Sequence, residues 1–296
     1  MTSSSGSPVA EGTSTPSIER VNDHRPTILL VHAHPDDEAS LTGGTIARYA
    51  AAEARVVLVT CTNGELGDSP EGATPDDDGH DTAAVVAHRI EELEASCEVL
   101  GIERLVLLGY HDSGMMGWPQ NDAAGSFWTT SVDVAGQRLA SLIDEERADV
   151  VITYDENGFY GHPDHIQANR ITLDALERTV VQPKLYYATI GKSAFERFGQ
   201  ALAEAGIEPP GAEEEEVDRE SMGTPDEDIG AVIDVSAFTT QKRAALAAHG
   251  SQTADSFFLQ VPEELFGTLF NQEWYIRVKD PTGQQGVEAD LLSGIA

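Results

Sequence analysis

Apolar runs and amphipathic stretches alternate along most of the chain. Thr27–Ala33 is nearly continuous in apolar residues, short enough for a strand and apolar enough for one covered on both faces. Val56–Thr62, Leu105–Leu108, Val150–Thr153 and Lys184–Thr189 read the same way. Between them, Leu41–Glu53, Thr82–Leu100, Val132–Arg147 and His165–Arg178 carry helical patterning. Strands alternating with helices predict an α/β fold, with a Rossmann-like, mostly parallel sheet flanked by helices. The pattern breaks at Glu208–Asp228, where Glu, Asp, Pro and Gly dominate and Glu213–Glu216 would repel itself in a helix. Residues 208–228 therefore read as an acidic linker or loop between a core at 25–207 and a smaller carboxy-terminal α/β part at 229–296. That part has strands at Ile229–Val235 and Trp274–Val278 and a helix at Thr239–His249.

The chain has 296 residues and is 40% hydrophobic, enough for a substantial core. Its 51 acidic residues against 18 basic ones give a formal charge of -33. A surface so negative argues against nucleic acid and against an anionic membrane. No stretch approaches the ~20 apolar residues that span a bilayer. Residues 1–24, rich in Ser, Thr, Gly and Pro at their start, read as a disordered tail without the basic start and apolar core of a signal peptide. Cys61 and Cys97 are too few for a disulfide framework and read as buried thiols, so a cytoplasmic location is expected. Nothing in these patterns fixes an oligomeric state.

Chemistry concentrates in two motifs. Ala33-His34-Pro35-Asp36-Asp37-Glu38 follows the first apolar run directly, and Tyr160-Gly161-His162-Pro163-Asp164-His165 trails the fourth. Ligands of open α/β sheets bind beyond the carboxyl ends of the strands, which is where both motifs fall. The step from His34 to Asp37 can point both side chains one way across a first helical turn. Two imidazoles and a carboxylate suit zinc with a fourth position left for water, although other divalent ions tolerate the same donors. Each motif alone would also serve as a helix cap; two at one sheet edge favour a metal. The motifs hold spare carboxylates and an imidazole beyond three ligands, groups suited to proton transfer, so metal-assisted hydrolysis is expected rather than a passive metal-binding module. A dinucleotide site is disfavoured, because no Gly-x-Gly-x-x-Gly follows the first run.

At these residues the chain resembles the zinc-dependent N-acetylglucosaminyl deacetylases related to the phosphatidylinositol-glycan and LmbE-like proteins. Further matching pieces are Thr60-Cys61-Thr62-Asn63-Gly64-Glu65, Gly109-Tyr110-His111-Asp112-Ser113-Gly114-Met115, Thr153–Gly158 and, more weakly, Lys242–Gln252. The likeness is greatest to the mycothiol-pathway branch, which holds a deacetylase of N-acetylglucosaminyl-inositol and a sister amidase of mycothiol S-conjugates. The motifs are specific for the superfamily and much less so for the substrate.

The resemblance implies that His34, Asp37 and His165 bind one Zn2+ and that Asp36 is the general base. It implies that His162 stabilises the tetrahedral intermediate or protonates the leaving amine, with Asp164 orienting it or a ligand histidine. Tyr160 would polarise the amide carbonyl. Arg89 and Asp112 would bind sugar or inositol hydroxyls, with Met115 lining the same pocket. The partner implied is a small aminosugar conjugate, losing its N-acetyl group by hydrolysis. Arg89 lies beside Glu91 and Glu92, so a surface salt bridge is an equal expectation. His249 could reach the site or merely cap its helix. Two departures stand out: Asn157-Gly158-Phe159-Tyr160 replaces the Asn-Gly-Gly-Tyr frequent in the family, and Asp68–Asp81 is unusually acidic.

Overall fold

A computed structural model describes residues 24–207, 223–254 and 256–295. The expected tail, save its last residue, and residues 208–222 of the acidic segment lie outside the described residues. The first apolar run becomes β1 (Thr27–His32), buried along its whole length. Its side chains alternate between two cores, Ile28 and Leu30 entering one and Leu29 and Val31 the other, as the period of two in a strand requires.

In chain order there follow α1 (Asp37–Leu41), α2 (Gly43–Ala51), β2 (Arg55–Thr62), α3 (Thr82–Leu100), β3 (Arg104–Tyr110), α4 (Val132–Glu146) and β4 (Val150–Thr153). Then come a single turn, α5 (Gly158–Gly161), and α6 (Pro163–Arg178), β5 (Lys184–Thr189) and α7 (Lys192–Glu204). The last stretch holds β6 (Ala231–Asp234), α8 (Thr239–Ala248), α9 (Gly250–Thr253), α10 (Phe257–Gln260), α11 (Glu263–Leu269) and β7 (Gln272–Lys279). The seven strands form one sheet in the order β3-β2-β1-β4-β5-β7-β6. The first five are parallel, and β7 runs antiparallel to both β5 and β6. The strands expected in the carboxy-terminal part thus extend the same sheet at its β5 edge.

The mixed α/β expectation is met, and every strand falls within two residues of its apolar run at both ends. The expected helix over 41–53 is α2, and a separate short helix, α1, precedes it across Thr42, whose hydroxyl bonds back to the carbonyl of Glu38 at 3.0 Å. Helix α7 was not foreseen. Both cysteines are free and buried. No described helix is long and apolar enough to cross a membrane.

Strand order decides where the site lies. From β1 the chain steps outward to β2 and β3, whereas β4 and β5 build the other side. The connections leaving β1 and β4 therefore part company, opening a crevice at the carboxyl ends of those two neighbouring strands. Both motifs emerge there.

The carboxy-terminal strands are anchored by buried charge. Glu273 of β7 accepts the Gly44 and Thr45 amides at the start of α2, at 2.9 and 2.7 Å, where a carboxylate suits the helix dipole. Lys242 of α8 meets the same carboxylate at 2.6 Å, with both side chains 3% exposed. Removing one partner of a buried pair strands the other charge, so Lys242→Met should cost about 3–5 kcal/mol. Urea unfolding at neutral pH measures it; an unchanged midpoint would mean that the pair adds nothing.

Candidate active site

The path out of β1 is unusual. Asp36 has φ 129°, ψ -25°, a region that costs a non-glycine residue on the order of 1–3 kcal/mol and persists only when surroundings enforce it. Arg89 of α3 is one enforcer. It donates to the carbonyls of Pro35 and Gly64, both at 2.6 Å, and to Asp36 Oδ2 at 3.0 Å. At 4% exposure it is buried in the site wall rather than paired with Glu91 or Glu92 at the surface. Glu38 is the other, accepting the Asp36 amide at 3.1 Å.

Asp37 lies at the centre. Its Oδ2 accepts the His34 amide and the Tyr154 hydroxyl, both at 2.7 Å, while Oδ1 lies 3.4 Å from His165 Nε2. Burial pushes its carboxyl up, but His165 and then His34 outweigh this and hold it well below the usual range. The imidazoles declare their tautomers through their other contacts. His165 Nδ1 faces the Gly158 carbonyl at 3.2 Å and so carries the proton. His165 Nε2, turned toward Asp37 Oδ1, is buried and without a hydrogen-bond partner among the described residues. Gly158 makes this approach possible: with φ 62°, a Cβ there would stand 2.7 Å from His165 Cβ. His34 turns Nε2 to Asp164 Oδ2 at 3.2 Å and Nδ1 to Asp37 Oδ2 at 3.3 Å. Burial lowers His34, yet Asp112, Asp164 and Asp37 together raise it well above the ordinary value.

His162 caps α6, its Nδ1 accepting the Asp164 amide at 3.1 Å. Burial, then His34 and His165, push it down to about 3, so it is neutral with its proton on Nε2. Asp164 Oδ2 also accepts the Ser113 amide at 2.9 Å, and its Oδ1 is buried and unpartnered among the described residues. Asp112 lies 3.8 Å from His34 Nε2. Burial, helped by neighbouring Asp37, raises Asp36 to about 6 against the pull of Arg89. Tyr160 is 54% exposed, its ring 5.1 Å from that of His165.

A divalent cation fits this donor set. Two ligand groupings converge to within 4.8 Å, His34/His162/His165 and His34/Asp112/Asp164. Asp37 stands against His34 and His165 pairwise instead. His165 Nε2, buried and without a hydrogen-bond partner among the described residues, faces Asp37 Oδ1 at 3.4 Å, a pair of ligand atoms that a shared cation would join.

Two cavities meet above Asp36, Asp37 and Tyr160. One of 220 Å³ is edged by Arg89, Asp112, Met115, Trp118 and His162. The other, of 320 Å³, is walled by Phe159, Phe198, Phe258, Phe270 and Trp274. Every residue singled out from the sequence borders this crevice or, like Asp164, backs it. Sequence reasoning missed Tyr154, Glu38 and Ser96 as supports; Glu38 stood inside the first motif, and Tyr154 directly follows β4. It left His249 undecided, and the ring is bonded to Glu38 rather than to a helix end.

Fold and site define an α/β protein with a metal-capable His/Asp centre at the switch point of its sheet. The chain belongs to the GlcNAc-PI de-N-acetylase (PIG-L) family, whose model matches residues 29–176. A relative from Acidothermus cellulolyticus, 1D-myo-inositol 2-acetamido-2-deoxy-alpha-D-glucopyranoside deacetylase, is 44% identical over 280 residues, 91% of this chain and 95% of that one. N,N'-diacetylchitobiose deacetylase from Pyrococcus horikoshii superposes with a TM-score of 0.55 at 20% identity, over 85% of this chain and 83% of that one. The zinc-inhibited form of teicoplanin deacetylase does so at 0.53 and 19%, over 86% and 99%. At such identities these structures speak to the fold alone. The family resemblance drawn from the two motifs is borne out.

Tyr154 also accepts the Ala33 amide, at 2.9 Å. Tyr154→Phe strands that buried amide and strips a donor from Asp37, an expected loss of about 1–3 kcal/mol. Urea unfolding of metal-free protein reads it, and an unchanged midpoint would mean that the hydroxyl supports nothing.

Proposed function

We propose that the chain hydrolyses the N-acetyl group of 1D-myo-inositol 2-acetamido-2-deoxy-α-D-glucopyranoside, releasing acetate and the free amine, in the cytoplasm. The observation that carries this reading is the convergence of Asp36, Asp37, His162 and His165 where a polar and an aromatic cavity meet; the named relative supplies the substrate. His34 Nδ1, Asp37 and His165 Nε2 are the proposed holders of the cation, with His34 fixed from behind by Asp164 and His165 by Gly158. Zinc suits these donors, and when bound it supplies a Lewis acid for the amide carbonyl and for an attacking water.

The chain's own groups do the rest. Asp36, with Oδ2 tied to Arg89, takes a proton from the attacking water on Oδ1 and later gives it to the departing amine. Neutral His162 offers its Nε2 proton to the oxygen that gains charge, and the Tyr160 hydroxyl offers a second. Arg89 and Asp112 give the polar cavity a donor and an acceptor for sugar and inositol hydroxyls, and Met115 covers its edge.

The aromatic cavity favours a second reading, an amidase of mycothiol S-conjugates, whose acyl side is large and partly apolar. Relative kcat/KM on the two substrates decides between them.

Asp36→Asn should keep the metal and lose about 10²–10⁴-fold in kcat/KM, the usual worth of a positioned base. Wild-type activity in that variant would remove Asp36 from this role. The base works as a carboxylate, so activity falls as pH drops through its pKa. That pKa is about 6 without metal, and a nearby dication favours the carboxylate, which puts the acid limb of kcat/KM at or below about pH 6.

Chelation should abolish free-amine release, and zinc should restore it. By metal analysis, Asp37→Ala and His165→Ala should lose the ion and His162→Ala should keep it. Loss in His162→Ala with retention in Asp37→Ala would instead favour the three-histidine grouping.

A further inference from the structure

We propose that His249 is a positioning residue for Asp36, acting through Glu38; this rests on the reading of Asp36 as the base. The two residues are separated by more than two hundred positions, yet His249 Nε2 stands 2.7 Å from Glu38 Oε1, with both side chains 0% exposed. That is the only hydrogen bond of the imidazole among the described residues, since Nδ1 has no partner. The ring therefore does not cap α8. It serves Glu38.

Glu38 divides its two oxygens. Oε1 takes the donors that fix it, His249 and the Ser96 hydroxyl of α3 at 2.5 Å. Oε2 takes the Asp36 amide. Asp36 occupies a backbone conformation that must be imposed, and it is gripped from two sides. Arg89 holds the preceding carbonyl and the side chain, while Glu38 holds the amide. A buried carboxylate without a charged or hydrogen-bonding partner is strongly disfavoured, so Glu38 keeps its grip only while its own donors stay in place.

The residues after His249 fix the imidazole in turn. Ser251 donates to Glu92 through both its amide and its hydroxyl, each at 2.7 Å. Gln252 pairs with both backbone groups of Asp68, at 3.2 and 2.9 Å. The segment His249–Gln252 thus clips the carboxy-terminal part onto the far wall of the crevice. Its first residue carries the effect to the base.

The test compares His249→Leu, which has no donor, with His249→Gln, whose amide can still donate to Glu38. Ser96→Ala is a milder release from the other side. All are made in the full chain loaded with zinc. His249→Leu should lower kcat by roughly 10–100-fold, the scale on which small misplacements act. KM should stay within about twofold and metal content should not change. His249→Gln should recover a substantial part of kcat, and Ser96→Ala should fall between. The Asp36 amide resonance should move upfield in His249→Leu and stay near its wild-type position in His249→Gln.

Unchanged kcat in His249→Leu overturns the proposal. So does equal loss in both His249 variants with an unmoved Asp36 amide, the pattern of a merely structural residue. Should the wild-type chain not turn over the inositol conjugate, the substrate reading fails instead. The amide resonance then decides the His249 coupling by itself.

Discussion

The site depends on one backbone constraint, the turn at Asp36. An ordinary strand-to-helix connection would leave Asp36 in relaxed backbone and aim its carboxylate elsewhere. Here φ is 129°, and Asp36 and Asp37 both border the same two cavities. The strain of order 1–3 kcal/mol is offset by a set of buried hydrogen bonds from α3, from α1 itself and, at one remove, from the segment after α8. Of those partners only Glu38 is local, and it is itself held by Ser96 and His249 from elsewhere in the chain. The Asp36 carboxylate, the proposed base, is therefore placed by tertiary structure.

Electrostatics explains why such a crevice wants a cation. Asp36, Asp37, Glu38, Asp112 and Asp164 crowd together, all but Asp36 less than a tenth exposed. Arg89 offsets Asp36, and His249 offsets Glu38. Asp37, Asp112 and Asp164 are left to share His34 and His165. Burying carboxylates is costly unless opposite charge accompanies them, and a divalent ion among these groups supplies it more fully than two imidazoles can. The chain's overall charge of -33 makes no contribution of that kind. It belongs to the solvated surface, where salt screens it.

Much of this was legible in the sequence because the signals were local. β1, β2, β4 and β5 announced themselves as short apolar runs, and the two His-Pro-Asp motifs fell immediately beyond β1 and the α5 turn. What was not legible depended on pairing across the sheet. Arg89 looked like one more charge on a helix, and only the packing of α3 against the β1 turn buries it. Tyr154 carried no mark of its role, since its hydroxyl meets Asp37 across 117 positions. His249 was readable as a cap because it does end a helix, and its real partner lies 211 positions away. The antiparallel β7–β6 edge escaped the parallel-sheet expectation for a similar reason, since an apolar run does not state which neighbour it will join or in which direction.

The departure that the resemblance marked at residue 159 has a physical address. Phe159 has a φ of 65° and a ψ of -58°, a conformation that glycine adopts freely and a bulky residue does not. A glycine there would be more comfortable, so the backbone gives no reason for Phe. Its side chain does, because it joins Phe198, Phe258, Phe270 and Trp274 around the 320 Å³ cavity. It does not border the cavity that holds Arg89 and Asp112. On the proposed mechanism the polyol lies on the Arg89 side and the acyl group on the aromatic side, with Tyr160 between them. On the function proposed above, Phe159 would therefore bear on the acyl group, the part of the substrate in which a deacetylase and an S-conjugate amidase differ, rather than on the sugar and inositol.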